Sequence, residues 1–185
     1  KELVDFVYFF IGTFIGGGVV LDHSVYPGRT GNAGAFGPMP VTGVDGKMTT
    51  LTDHASILTL ERLLKTEGIN LYHPEQEKEE WHSLGHHLDN WIGTTAYHLA
   101  RAIVASHSII DFQATIIDGA FPSDIRKRIV EAIKIEINKL DTRGISNPVI
   151  MEGLVGSGAR ALGAASLPLF SRYLLDQKVL FKGIK

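Results

Sequence analysis

Residues 10–21 read Phe10-Ile11-Gly12-Thr13-Phe14-Ile15-Gly16-Gly17-Gly18-Val19-Val20-Leu21, and this stretch decides the fold. It continues an aromatic and β-branched run from Leu3 to Ile11 that is typical of a buried strand. We predict a glycine-rich turn over Gly12–Gly18 and a resumed strand at Val19–Leu21. A dinucleotide-binding loop or a P-loop needs a helix directly after its glycines, because the helix N-terminus holds the phosphate. The β-branched residues after Gly18 argue against both motifs.

The rest of the chain alternates between strand-like and helix-like segments. Asp22-His23-Ser24 predicts a tight turn between antiparallel strands, and the stretch from Pro27 to Gly46 predicts an irregular surface loop. Helices are expected from Thr50 or Thr52 to about Lys65, from Pro74 to about Ser106, from Pro122 to about Leu140 and from Ser157 to about Tyr173. Short strands are expected at Gln113–Ile117, ending in Asp118-Gly119, and at Val149–Met151. This order predicts an α/β fold with a mixed sheet covered by helices.

The composition limits the classes of function. The chain has 185 residues, a formal net charge of -2 and no cysteine. The net charge lacks the excess of basic residues that is typical of DNA-binding domains, so any DNA-binding part of the protein is expected outside this chain. The lack of cysteine excludes disulfides, thiolate catalysis and cysteine-based zinc sites, and it suits the cytoplasm. The apolar run Phe6–Ile15 is shorter than the roughly 20 residues that span a bilayer, so no membrane association is expected.

The glycine pattern of the first forty residues resembles that of the ROK family. Residues 10–21 are similar to the second phosphate loop of ROK proteins, which usually shows G-T-G-I-G-G-G before a short strand. The family segment Y-x-G-x-x-G-x-A-G-E-x-G-H-M is similar to residues 26–39, Tyr26-Pro27-Gly28-Arg29-Thr30-Gly31-Asn32-Ala33-Gly34-Ala35-Phe36-Gly37-Pro38-Met39. Weaker similarities are Leu51–Ser56 to L-E-x-x-A-S, Ile116–Gly119 to a strand ending in glycines beside the nucleotide, and Gly158–Ala165 to the closing G-A-x-x-G-A helix.

This resemblance implies the second lobe of an actin-like, ribonuclease H-like fold of the hexokinase type, with residues 1–185 forming a single lobe. The family contains sugar kinases and also sugar-responsive repressors that carry an N-terminal helix-turn-helix. Lys1 opens almost directly into strand-like sequence, so we expect that a first lobe and any helix-turn-helix precede this chain in the whole protein.

The chain departs from the family at the residues that would hold a sugar and a metal. The resemblance implies glutamate, histidine and glutamate as sugar ligands, and Ala35, Pro38 and Thr52 stand at those positions. The implied zinc ligands are the same histidine and three cysteines, none of which is present, so no metal site is expected. Phe14 replaces a glycine that would let the backbone approach a phosphate.

Two groups of candidate site residues remain. A degenerate nucleotide loop would use Gly12, Thr13, Gly16, Gly17, Asp118 and Gly119. Arg29, Asn32, Asp53 and His54 could bind a ligand in the cleft where the family binds sugar, or could simply be solvated loop residues. Asp118 could contact a ribose or cap the helix near Ser123.

Other polar and aromatic residues have more ordinary interpretations. His82 and His86 lie one helical turn apart, but the intervening sequence lacks the glutamate of a zinc-protease motif, so an exposed helix face is the favoured interpretation. Trp81 and Trp91 are expected in the core or at a dimer contact.

We therefore expect the C-terminal effector-sensing or dimerisation domain of a ROK regulator of sugar metabolism, without kinase activity. No catalytic residue is assigned, because the resemblance places the catalytic aspartate in the first lobe. The expected partners are a sugar-derived effector and a second copy of the chain, with DNA bound only through an N-terminal segment outside this chain. No cofactor is expected. A diverged ATP-dependent sugar kinase and a non-catalytic interaction module remain as alternatives.

Overall fold

A computed structural model describes residues 2–43, 45–69 and 78–158. These residues form seven strands, β1 (Phe6–Ile11), β2 (Ile15–Leu21), β3 (Ser24–Tyr26), β4 (Pro40–Thr42), β5 (Met48–Thr50), β6 (Ala114–Gly119) and β7 (Ile150–Glu152). The same part of the chain contains four α-helices, α1 (Ile57–Thr66), α2 (Lys78–Ser83), α3 (His86–Ile109) and α4 (Ser123–Ile137).

The main sheet has the strand order β3-β2-β1-β6-β7. Strands β1, β2 and β3 pair antiparallel, whereas β6 pairs parallel with both β1 and β7. The sheet is therefore mixed, as the order of elements predicts. Val7, Phe9 and Ile11 on one face of β1 are fully buried, and helices α3 and α4 pack against each other to complete the core.

The predicted strand–turn–strand unit is present, but its boundary differs from the prediction. The turn contains only Gly12, Thr13 and Phe14, and the glycines at 16–18 pair with β1 inside β2. Gly17 has no room for a side chain, because a Cβ there would collide with the carbonyl oxygen of Tyr8 and the ring of Phe36. Gly17 is therefore required for close packing of the strand, and the run of glycines does not lengthen the turn.

The turn predicted at Asp22-His23-Ser24 is confirmed as a two-residue hairpin turn. Asp22 and His23 have φ of 52° and 59°, and Leu21 pairs with Ser24. Two successive residues with positive φ give a turn whose twist matches that of the flanking strands.

Three other local predictions were wrong in detail. The loop from Pro27 to Gly46 is not wholly irregular, because β4 pairs with β5 in a small hairpin. Neither Thr50 nor Thr52 caps α1; Thr50 precedes a 3-10 turn over Leu51–Asp53, and Ser56 caps α1 by accepting from the amide of Thr59. The long helix is divided into α2 and α3, and Gly85 at the division has a φ of 50°. The Pro74 start and the final helix, apart from a 3-10 turn at Gly156–Gly158, lie outside the described residues.

The loop after β3 packs closely against β2, and a glycine in the loop permits this close approach. Gly34 has a φ of +83°, and a Cβ there would lie 2.7 Å from the backbone of Gly17 and Gly18. Two residues later, the ring of Phe36 stacks on Phe9 at 4.2 Å between centroids. The loop that resembles the sugar-binding segment is thus fixed by backbone contact to the sheet.

Gly34→Ala should destabilise the protein by roughly 2–4 kcal/mol, because the new Cβ adds both backbone strain and a clash with backbone atoms. Gly31→Ala is the matched control, since Gly31 has a φ of +76° but nothing within 4 Å of its Cβ position. The control should lose only the strain, roughly 1–2 kcal/mol. Chemical denaturation measures both, and equal losses would show that the close approach of Gly34 to β2 carries no energy.

A stacked histidine pair joins α3 to the segment before α1. The rings of His54 and His98 lie 4.0 Å apart between centroids, and His98 is 1% exposed. Neither ring nitrogen of His98 has a hydrogen-bond partner in the described part of the chain. Burial lowers the pKa of His98 to about 4, with further lowering by His54 and Arg101. The imidazole of His98 is therefore neutral in the folded protein at pH 7.

The stability of the fold should fall as the pH is lowered from about 6.5 to about 4. The unfolded chain binds a proton at His98 over this range and the folded chain does not, which favours unfolding by up to about 3 kcal/mol at pH 4. His98→Phe keeps an aromatic ring in the stack but cannot titrate. Its free energy of unfolding should therefore depend less on pH over this range, and an identical pH profile for the two proteins would contradict the assignment.

Candidate functional site

The candidate site lies at one edge of the main sheet, where the parallel strands end. Strands β1, β6 and β7 end there, and the amide of Ala120 donates to the carbonyl of Ile11 at 3.0 Å. The turn after β1 and the segments after β6 and β7 meet at this edge. In open α/β sheets, ligands bind outside the carboxyl ends of the strands.

The turn after β1 is tied to the start of α1. The amide of Ile57 donates to the carbonyl of Gly12 at 2.9 Å, and the amide of Leu58 donates to the carbonyl of Thr13 at 3.3 Å. A helix N-terminus usually offers such amides to an anion, but here the turn and the Ser56 cap occupy them. Sequence reasoning missed Ser56, although a serine directly before an apolar run is a recognisable cap signal.

The predicted nucleotide-loop residues do not all occupy equivalent positions. Gly12 is buried and Thr13 is exposed at the turn itself. Gly16 lies in β2 with open space at its Cβ position, whereas a Cβ at Gly17 would collide with Phe36. Phe14 is 63% exposed and projects from the turn.

Asp118 is the penultimate residue of β6, and both of its carboxylate oxygens accept hydrogen bonds from protein groups. The hydroxyl of Tyr8 donates to Oδ2 at 2.9 Å, and Nη1 of Arg126 donates to Oδ1 at 2.8 Å. The amides of Gly119, Val155 and Gly156 also donate to this carboxylate. The side chain is fully buried. Asp118 does not cap the helix near Ser123, whose N-cap residue is Pro122.

The environment of Asp118 sets its charge. Burial alone would raise the pKa of this carboxyl, but the hydrogen bonds from Gly156, Gly119, Tyr8 and Arg126 outweigh it and hold the pKa below its ordinary value. Burial and the hydrogen bond to Asp118 raise the pKa of the Tyr8 hydroxyl. The carboxylate is therefore ionised and the phenol is neutral at pH 7. Sequence reasoning missed Tyr8 and Arg126, since they lie 110 and 8 positions from Asp118.

Two of the four predicted ligand-cleft residues have internal partners. The carboxylate of Asp53 accepts from the hydroxyls of Thr50 and Thr49 at 2.7 and 2.8 Å, and these bonds, with the Thr50 amide, lower its pKa. His54 is stacked on His98. Arg29 and Asn32 are exposed on the loop after β3. The structure thus places Asp53 and His54 side by side, and leaves Arg29 and Asn32 with their side chains open to solvent.

The three positions that depart from the family lie around Gly37. The amide of Thr52 donates to the carbonyl of Gly37 at 3.1 Å, which brings the segment before α1 against the loop that carries Ala35 and Pro38. Ala35 and Pro38 are exposed and Thr52 is half-buried. A backbone hydrogen bond therefore joins the two segments, but the side chains at these three positions are short.

The region between Pro38 and Thr52 forms the β4–β5 hairpin, in which Asp45 bonds to Lys47. It offers no cysteine, and the described residues contain no group of three histidine, aspartate or glutamate side chains suited to a metal ion. His82 is exposed and pairs with Asp124 at 2.7 Å. Trp81 and Trp91 are buried with Phe121, which confirms their place in the core.

A cavity of about 640 Å³ lies against β1 and β2. Aromatic residues of β1 and glycines of β2 line it, among them Tyr8, Phe10 and Gly18.

No helix in the described ranges is long and apolar enough to cross a membrane.

Comparison with known proteins identifies the family. The family model described as "ROK family" matches residues 1–169. A relative from Sinorhizobium fredii, the uncharacterized protein y4fQ, is 26% identical over 177 residues. The alignment covers 93% of this chain but 42% of that relative, so the chain spans less than half of its length.

Two solved structures share the fold at low sequence identity. A ROK family glucokinase from Streptomyces griseus, in complex with glucose and AMPPNP, has a TM-score of 0.70 and 20% identity, with 90% of this chain and 61% of that chain covered. A ROK family transcriptional regulator, a homologue of the E. coli MLC protein, has a TM-score of 0.56 and 18% identity, with 80% of this chain and 41% of that chain covered. The fold is thus the α/β, actin-like type found in ROK sugar kinases and regulators. Because the family model matches residues 1–169 of the 185 residues in this chain, the chain belongs to the ROK family.

Proposed function

We propose that this chain is the C-terminal effector-sensing and dimerisation lobe of a cytoplasmic ROK regulator of sugar metabolism, without kinase activity. In the whole protein, a first lobe completes the ligand cleft and an N-terminal segment binds DNA. The observation that carries this proposal is the loop around Gly37, which keeps its backbone contacts while Ala35, Pro38 and Thr52 replace the expected polar ligands.

The loss of those ligands argues against sugar phosphorylation. A sugar pocket orients its ligand by hydrogen bonds from fixed polar groups, and a kinase also depends on that orientation to place the reacting hydroxyl. Alanine and proline side chains donate and accept no such bonds. A sensor requires only that its ligand bind two conformations with different affinity, which the exposed Arg29 and Asn32 can still support.

The likeness to a glucokinase structure favours a second candidate, a diverged sugar kinase. It would require the first lobe to supply the catalytic carboxylate and most of the sugar contacts. The nucleotide would have to bind at the edge where the first amides of α1 and the carboxylate of Asp118 already have protein partners.

The intact protein should not phosphorylate hexoses with ATP at enzymatic rates, whereas one sugar or sugar derivative should raise its melting temperature. A ligand that binds only the native state stabilises it, so a thermal-shift screen of sugars and sugar phosphates reports binding without turnover. A coupled ATP-consumption assay on the same panel measures phosphorylation. Turnover of about 1 per second or faster with any hexose would instead establish the kinase.

Arg29→Ala should weaken binding of the sugar found in that screen by about tenfold, the value of one hydrogen bond from a charged group. Arg143→Ala is the matched control, because Arg143 is an exposed arginine whose partner among the described residues is Asp141. Isothermal titration measures both variants. Equal sugar affinity of the two variants would show that Arg29 does not bind the sugar. If no sugar in the panel raised the melting temperature of the wild-type protein, a pure interaction module would be favoured.

A further inference from the structure

Five hydrogen-bond donors converge on the carboxylate of Asp118. They are the hydroxyl of Tyr8, the guanidinium of Arg126 and the amides of Gly119, Val155 and Gly156. These donors come from β1, from α4, from the end of β6 and from the segment after β7. The other charged group at Arg126 is Glu152, whose Oε2 lies 3.9 Å from Nε.

This donor set has the character of an anion-binding site. Successive backbone amides in a turn form a concave nest that binds anions, and an arginine adds a fixed positive charge. Val155 and Gly156 are such a pair, and Gly156 has a positive φ of 63°. The cluster therefore combines the donors that proteins use for free carboxylates and phosphates.

The nest has no space for an external anion while Asp118 is present. The carboxylate is fully buried, and a Cβ built on Gly153 would lie 2.5 Å from its Oδ2. The segment after β7 is thus packed directly against the aspartate. Both carboxylate oxygens of Asp118 already accept hydrogen bonds from these donors.

We propose that these five donors form an anion-binding nest that Asp118 fills from within, so that a small carboxylate or phosphate can enter only when this side chain is removed. The filled nest fixes the segment after β7 against the carboxyl end of β6. The inference follows from the contacts of Asp118 alone, so it stands or fails separately from the proposed sensing of a sugar.

Chemical rescue tests the proposal in the full chain. Asp118→Ala should have a lower melting temperature than the wild type, and sodium formate should raise it by roughly 3–6 °C relative to sodium chloride of equal ionic strength. The wild type should not respond to formate. Asp89→Ala is the matched control, because it also removes a carboxylate from an arginine, Arg128, but at an exposed site. A formate response of Asp118→Ala no larger than that of Asp89→Ala would overturn the proposal.

A second variant decides the question if Asp118→Ala does not fold. Asp118→Asn preserves the shape of the side chain but turns an amide NH₂ toward the donors. The backbone amides of Val155 and Gly156 should then exchange with solvent at least tenfold faster, as measured by hydrogen exchange. The amide of Gly153, which donates to the backbone carbonyl of Ile117 at 2.8 Å, is the internal control. Unchanged exchange at Val155 and Gly156 would show that the carboxylate does not hold this segment.

Discussion

The ionised carboxylate of Asp118 connects the parts of the fold that are furthest apart in sequence. It joins Tyr8 of β1, Arg126 of α4 and the amides after β7, so three strands and a helix meet at one buried charge. Burying a charge is costly unless it is paired and hydrogen-bonded. The large number of donors meets that condition, and the loss of any one of them would leave a buried polar group without its partner. The arrangement thus fixes the geometry of the sheet edge as well as its charge.

The second constraint is steric, and it explains why so many of the glycines fall into a pattern. Gly17 and Gly34 lie where β2 meets the following loop, and neither has room for a Cβ. Gly37 likewise faces Thr52, with only 2.7 Å from its Cβ position to Oγ1. These three glycines therefore fix the course of the backbone where β2, the loop after β3 and the segment before α1 meet. The backbone can keep this course while the side chains at neighbouring positions change.

Much of the sheet could be predicted from the sequence, because its signals are local. The β-branched run before Gly12, the Asp22-His23 turn and the strand ending at Asp118 all depend on neighbouring residues, and each is present. The predicted boundaries of strands and helices were wrong where tertiary contacts determine where an element begins or ends. Gly16–Gly18 resemble a flexible turn, yet pairing with β1 makes them strand. The division at Gly85 depends on a single residue with positive φ inside a helical pattern.

The site was harder to predict, since its partners are distant in sequence. Asp118 could be singled out as a polar residue at a strand end, but its role depends on Tyr8, which is 110 positions away. His54 likewise became a candidate through its motif position, whereas its structural partner is His98 on α3. In both cases the sequence shows which residue is unusual and only the fold shows what it contacts.

The loop around Gly37 and the carboxyl end of β6 differ in the groups that they leave exposed. Ala35, Pro38 and Thr52 stand where the resemblance implies polar sugar ligands, whereas the carboxylate of Asp118 is enclosed by protein donors. Ala35 and Pro38 are exposed on their loop. The amides of Gly119 and Gly156 already donate to the carboxylate of Asp118. A kinase needs both sites at once, because the sugar and the phosphate donor must be held together for transfer. A sensor needs one site whose ligand favours one arrangement of the lobes over another. The enclosed carboxylate of Asp118 and the exposed loop around Gly37 are therefore the features that support the proposed sensing role over phosphate transfer.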